Sequence, residues 1–92
     1  MARPDVSELY STLKADEFAM LGTGTYSLHD VYRAVRRRHP DLCDDTFLCR
    51  ENCRNGHDQP EWQHVVRKAL DSLKRRNASR VTHVGPAQWS FE

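Results

Sequence analysis

The sequence predicts an α+β chain, mainly α, in which three helices precede a β-hairpin and a long cysteine-containing loop separates helices two and three. Three observations point there. Residues 60–77 carry an apolar stripe at helical spacing with a basic outer face. Residues 79–92 carry two short β-branched or aromatic runs about Gly85-Pro86. Two further stripes of helical period lie upstream. The 92 residues make one domain, 1–92, and a 38% hydrophobic content suffices for one small core. A chain this short buries roughly 60–65% of its unfolded surface.

The first helix is expected from about Asp5 into the late teens, since Val6, Leu9, Tyr10 and Leu13 fall at i, i+3, i+4 and i+7. Phe18, Met20 and Leu21 either extend it or form a separate turn. Leu21-Gly22-Thr23-Gly24-Thr25 predicts a turn rather than a regular element, closing the N-terminal part at residue 25.

Ser27 is the expected N-cap of the second helix, with Asp30 in the capping-box position. Leu28, Val31, Tyr32 and Val35 form its buried stripe, leaving Arg33, Arg36, Arg37 and Arg38 on the other faces. Pro40 ends it, because the residue before a proline avoids helical geometry. Residues 40–59 then read as a loop, too long to be ordered in a small domain without some reason.

The third helix is expected over 60–77, with Pro60 at its first position, where the missing N–H is no loss. Trp62, Val65, Val66, Ala69, Leu70 and Leu73 form its apolar stripe. Lys74, Arg75 and Arg76 complement the negative helix end, and Asn77 suits a left-handed terminus. Residues 80–84 and 88–91 are the strands of the hairpin. Trp89 and Phe91 are two apart, so both should face the core.

Helix, helix and hairpin in this order are the parts of a winged helix, whose third helix enters the major groove of DNA and whose hairpin is the wing. The net charge of +1 hides a segregation that suits this. Residues 1–30 carry two basic and five acidic side chains; residues 31–39 carry four basic and none acidic. Residues 40–59 come to −3 and residues 60–92 to +3. With the apolar stripe removed, Gln63, His64, Arg67, Lys68, Asp71, Lys74 and Arg75 remain on the third helix. Gln63 can pair bidentately with adenine, and Arg67 or Lys68 with guanine or a phosphate. Arg80, Thr82 and His83 are placed on the first wing strand, where arginine suits a phosphate or the minor groove; an arginine that only solubilises an edge strand is the alternative. Trp62 lies on the apolar stripe and is assigned to the core.

Cys43, Cys49, Cys53 and His57 are spaced C-x5-C-x3-C-x3-H, a donor set that completes a tetrahedral structural zinc shell. One Zn2+ there would order the loop; free thiols are the other reading. Asp44, Asp45, Glu51 and Asp58 crowd the same loop and could suit a hard cation. The first residues carry no apolar run and no segment is long and apolar enough to span a bilayer, so a cytoplasmic protein is the expectation. No H-E-x-x-H, Walker loop or GxSxG elbow occurs, so no catalysis is expected.

The run Pro60-Glu61-Trp62-Gln63-His64-Val65-Val66-Arg67-Lys68-Ala69-Leu70, then Leu73-Lys74 and the terminal Gln88-Trp89-Ser90-Phe91, resembles the winged-helix modules of Mrr-like and HNH restriction endonucleases. The likeness covers roughly residues 26–92. It implies double-stranded DNA as partner and, as in several members of that group, recognition of N6-methyladenine in modification-dependent restriction. No nuclease domain stands beside the module in these residues, so a separate nuclease partner is implied rather than cleavage. Asn77-Ala78 replaces the small glycine usual after the third helix. The rival function is a protein-interaction module whose basic helix docks an acidic partner.

Overall fold

Every apolar stripe turns inward on one core. Leu9 and Leu13 of the first helix, Val31 and Val35 of the second, and Val66, Ala69, Leu70 and Leu73 of the third are fully buried. The computed structural model describes residues 6–43, 45–46, 60–76 and 79–92, with Val6 and Ser7 as backbone only. Its elements are α1 (Val6–Asp16), β1 (Gly24–Ser27), α2 (Leu28–Arg38), α3 (Glu61–Lys74), β2 (Val81–Gly85) and β3 (Gln88–Phe91). The three strands form one antiparallel sheet in the order β1-β3-β2. The architecture is therefore a small α+β domain of three helices and a three-stranded sheet.

α1 stops where the backbone reverses. Glu17 and Phe18 take positive φ, 52° and 60°, a strained region for a bulky residue. The Asp16 carboxylate accepts the Phe18 N–H at 3.0 Å. The reversal drops the Phe18 ring into the core, 5.8 Å from that of Phe91. Phe18 thus belongs to a turn after α1 and does not extend the helix.

The two glycines of residues 21–25 predict a turn and no strand there, but the chain forms a strand from Gly24 on. β1 pairs with β3 in the register Gly24–Phe91, Thr25–Ser90, Tyr26–Trp89 and Ser27–Gln88. Gly24 has φ of 149°, a conformation that strains any side chain. Tyr26 closes the approach, its hydroxyl donating to the Gly22 carbonyl at 3.1 Å and its ring meeting Phe91 edge-on.

Ser27 ends β1 and caps α2, its hydroxyl accepting the Asp30 N–H at 3.1 Å. α2 ends at Arg38, and Pro40 opens a single 3-10 turn, Pro40–Leu42. Of the expected loop over 40–59, Asp44 and residues 47–59 lie outside the described residues, and with them Cys49, Cys53, His57, Glu51 and Asp58.

α3 buries the six apolar residues expected of it, and Glu61 besides. Its bounds are tighter than 60–77. Pro60 has ψ of 140° and stands as the N-cap, one place outside the helix, and the C-cap is Arg75. Asn77 and Ala78 lie outside the described residues. β2 and β3 form the hairpin about Pro86 and Ala87, with a register shift between His83 and Gly85. Trp89 and Phe91 both face the core as their spacing requires. Among the described residues no helix is long and apolar enough to cross a membrane.

Candidate nucleic-acid interface

Burying the apolar stripe of α3 leaves two polar rows outward. His64, Lys68, Asp71 and Arg75 follow i, i+4, i+7 and i+11; Gln63, Arg67 and Lys74 lie alongside. Lys68, Lys74 and Arg75 are exposed, while Gln63, His64, Arg67 and Asp71 are partly buried. The nominated residues of the helix therefore share one face. Its middle is not uniformly basic. Asp71 pairs with Lys74 at 3.2 Å and Arg75 at 2.8 Å, leaving those cations partly neutralised before any partner arrives.

Arg67 also has a structural task. Its guanidinium donates to the Tyr32 hydroxyl at 2.9 Å, tying α3 to α2. Burial raises the Tyr32 pKa above its ordinary value, with the Arg67 hydrogen bond and charge opposing the rise. Arg67 is therefore held in a fixed position. One guanidinium nitrogen is engaged, and arginine has five N–H donors.

Next to this contact lies a cleft of about 200 Å³ lined by His29, Tyr32, Arg33, Arg36, Trp62 and Gln63. Tyr32 meets Trp62 edge-on at 5.6 Å, and the Arg36 guanidinium lies 5.3 Å from the Trp62 ring centre. The Trp62 indole N–H donates to the Asp45 carboxylate at 2.9 Å, and the same oxygen is paired with Arg36. Trp62 is 2% exposed, so it serves the core and shows the cleft no more than a sliver of its ring. The basic run of α2 announced Arg33 and Arg36; nothing local in the sequence announced Asp45 as the partner of Arg36.

The hairpin carries less charge than its sequence suggested. Arg80 precedes β2 rather than standing on it, and its side chain turns inward. It donates to the backbone carbonyls of Glu92 at 2.9 Å, Phe18 at 3.3 Å and Leu21 at 2.9 Å. Its own N–H donates to the Glu17 carboxylate at 3.1 Å. Arg80 is a clamp between the turn after α1 and the end of the sheet, with its guanidinium already occupied. Thr82, His83 and Val84 are exposed on β2. His83 stacks on Trp89 at 4.4 Å, and Lys74 of α3 lies 5.9 Å from the same ring. The β2–β3 hairpin and the C-terminal end of α3 are thus contiguous.

Cys43 is half-buried, and its thiol is pushed up to about 11 by burial first, with Arg36 opposing and Asp45 adding to the rise. The other three residues of the proposed zinc shell, Cys49, Cys53 and His57, lie outside the described residues. Among the described residues no three His, Cys, Asp or Glu side chains gather as a metal site.

No family model matches the chain, and neither the curated proteins nor the solved structures give a match.

Proposed function

We propose that the chain is a winged-helix domain that binds double-stranded DNA through the outer face of α3 and the β2–β3 hairpin. The observation that carries this reading is the cationic face of α3, with Arg67, Lys68, Lys74 and Arg75 on one side of a helix whose other side is wholly buried. The helix–strand–helix–helix–hairpin order supports it, since a strand between the first two helices pairs with the last strand and braces the wing beside α3. Gln63 and His64 lie near the start of α3, where a recognition helix reaches base edges. Lys74, Arg75 and Thr82 suit the flanking backbone.

The finer reading, a sensor of N6-methyladenine, draws on the cleft beside Gln63. The methyl of a paired N6-methyladenine replaces the outward N6–H, so the Gln63 amide would keep only its donation to N7 and the methyl would turn towards Tyr32 and the rim of Trp62. Asp71 favours the rival, a docking surface for a protein, because a carboxylate within the face repels phosphates. It could equally accept from the amino group of a cytosine.

Titration of matched duplexes, unmodified, adenine-methylated and cytosine-methylated, across a salt series tests both. DNA binding through several phosphates falls log-linearly with salt. Absence of binding to every duplex at low salt would leave the docking surface as the better reading.

A further inference from the structure

We propose that Lys14, Lys68 and Arg76, gathered about Tyr10 on the side of α3 that meets α1, hold a backbone phosphate of the DNA duplex lying on α3. This rests on the DNA-binding reading above. The Lys14 and Lys68 ammonium groups come from different helices yet lie 5.0 Å and 5.4 Å from the centre of the same Tyr10 ring. The ring attracts each cation only weakly, because the site is exposed. The two like charges raise the positive potential around the ring, and an anion bound beside them offsets it.

The neighbouring groove has the right chemistry. It encloses about 360 Å³ and is lined by Tyr10, Ser11, Lys14, Ala15 and Arg76, two hydroxyls and two cations with no carboxylate among them. Among the described residues these surface ion pairs run elsewhere: Asp30 to Arg33, Asp45 to Arg36, and Asp71 to Lys74 and Arg75. Lys14, Lys68 and Arg76 take part in none of these. Nearby acids also have other duties, Asp16 at the Phe18 N–H and Glu17 at the Arg80 N–H. The Tyr10 pKa is lowered by a Ser72 hydrogen bond first, with further lowering from Lys14 and Lys68 against the opposing effect of desolvation.

The place of the cluster selects DNA over a lone anion. Lys68 belongs both to this cluster and to the outer row of α3, one helical turn from His64. A strand whose bases meet Gln63 and His64 has its phosphates at the margins of the helix, and the Tyr10 cluster is one such margin. Arg33 and Arg36 of α2 stand at the other.

The test is the salt dependence of duplex binding for the parent, Lys14→Gln and Lys14→Arg, with their melting temperatures. Lys14→Gln should weaken binding to every sequence alike and flatten the log–log salt slope by about one. Lys14→Arg should keep the parent slope, and all three should melt together. A Lys14→Gln protein that binds with the parent's affinity and slope overturns the phosphate site while leaving the DNA-binding reading intact. A parent that binds no duplex removes both. Titration with inorganic phosphate, followed by amide shifts, separates the remaining source of the ligand. Saturable shifts around Lys14 and Arg76, with DNA binding untouched by Lys14→Gln, would make this a free-anion site and overturn the assignment to DNA.

Discussion

The indole N–H of Trp62 donates to the Asp45 carboxylate at 2.9 Å, joining the start of α3 to a residue seventeen positions earlier. The same carboxylate is paired with Arg36 of α2, so one acid ties two helices to the chain that leaves the Pro40–Leu42 turn. Trp62 is almost wholly buried and its N–H would be orphaned without this acceptor. Asp45→Ala should therefore lower unfolding free energy by about 1–3 kcal/mol, the usual penalty for a buried donor left unmade. Asp45→Asn keeps an acceptor oxygen and should lose clearly less. Urea melts of the two variants check the order, and equal losses would mean that only the charge matters.

Arg80 gives a prediction of the opposite kind from the one its position in the sequence invited. Three carbonyls, of Phe18, Leu21 and Glu92, receive its guanidinium. Hydrogen bonds from a charged donor contribute about 1.5–3 kcal/mol each where buried, and the partial exposure here discounts that. Arg80→Ala should cost about 2 kcal/mol of stability and leave the salt slope of DNA binding unchanged at a temperature where the variant is folded. Lys should not rescue it, because a point-like ammonium cannot span a fork of acceptors. A stable Arg80→Ala protein with a flattened salt slope would instead put Arg80 in the proposed DNA contact.

What could be read from the chain was local. The cap at Ser27, the stripe of α3 and the shared inward face of Trp89 and Phe91 depend on neighbours within a few residues. β1 was hidden because Gly24-Thr25-Tyr26-Ser27 is a strand only by virtue of β3, more than sixty residues later. The inward turn of Arg80 was hidden likewise, since its acceptors come from the reversal after α1, which Glu17 and Phe18 enforce with positive φ. Of the candidate site, the identity of the exposed residues on α3 followed from the helical period. Their pairings, Arg67 with Tyr32 and Asp71 with Lys74 and Arg75, needed the packing of α2 or the rotamers themselves.

The Arg67–Tyr32 hydrogen bond separates two residues that the sequence treats alike. Arg67→Ala and Lys68→Ala should both weaken DNA binding, by about 1–3 kcal/mol for a side chain that reads a base. Only Arg67→Ala should also lose stability, by about 1 kcal/mol, and a double-mutant cycle with Tyr32→Phe should find the two coupled. A pH readout follows. Burial has raised the Tyr32 pKa and Arg67 opposes the rise, so removing Arg67 should push it higher still. A raised pKa means that the phenol's contribution to stability is whole below the unfolded value and is lost as pH climbs through the folded one. Phenolate absorbance during an alkaline titration should show Tyr10 ionising before Tyr32, given their opposite shifts. Additive effects of Arg67→Ala and Tyr32→Phe would deny the coupling.

The size of any methyl preference is bounded by the cleft beside Gln63. One methyl group removed from water is worth about 0.8 kcal/mol, a factor of roughly four in affinity. Tyr32 and the rim of Trp62 could supply one such contact and little more. Extrusion of the base into a stacking site would allow a larger ratio, but Trp62 cannot serve as the platform without leaving its place. Its ring is buried, Tyr32 and Arg36 lie against it, and its N–H is bound to Asp45. A singly adenine-methylated duplex should therefore bind no more than about fourfold better than its unmodified twin, in line with that single contact. The Trp62 fluorescence should stay constant through the titration, read in a Trp89→Phe background to isolate it. A preference above tenfold with quenching of Trp62 would mean that the α2–α3 cleft opens on binding and that a flipped base, not a groove contact, carries the recognition.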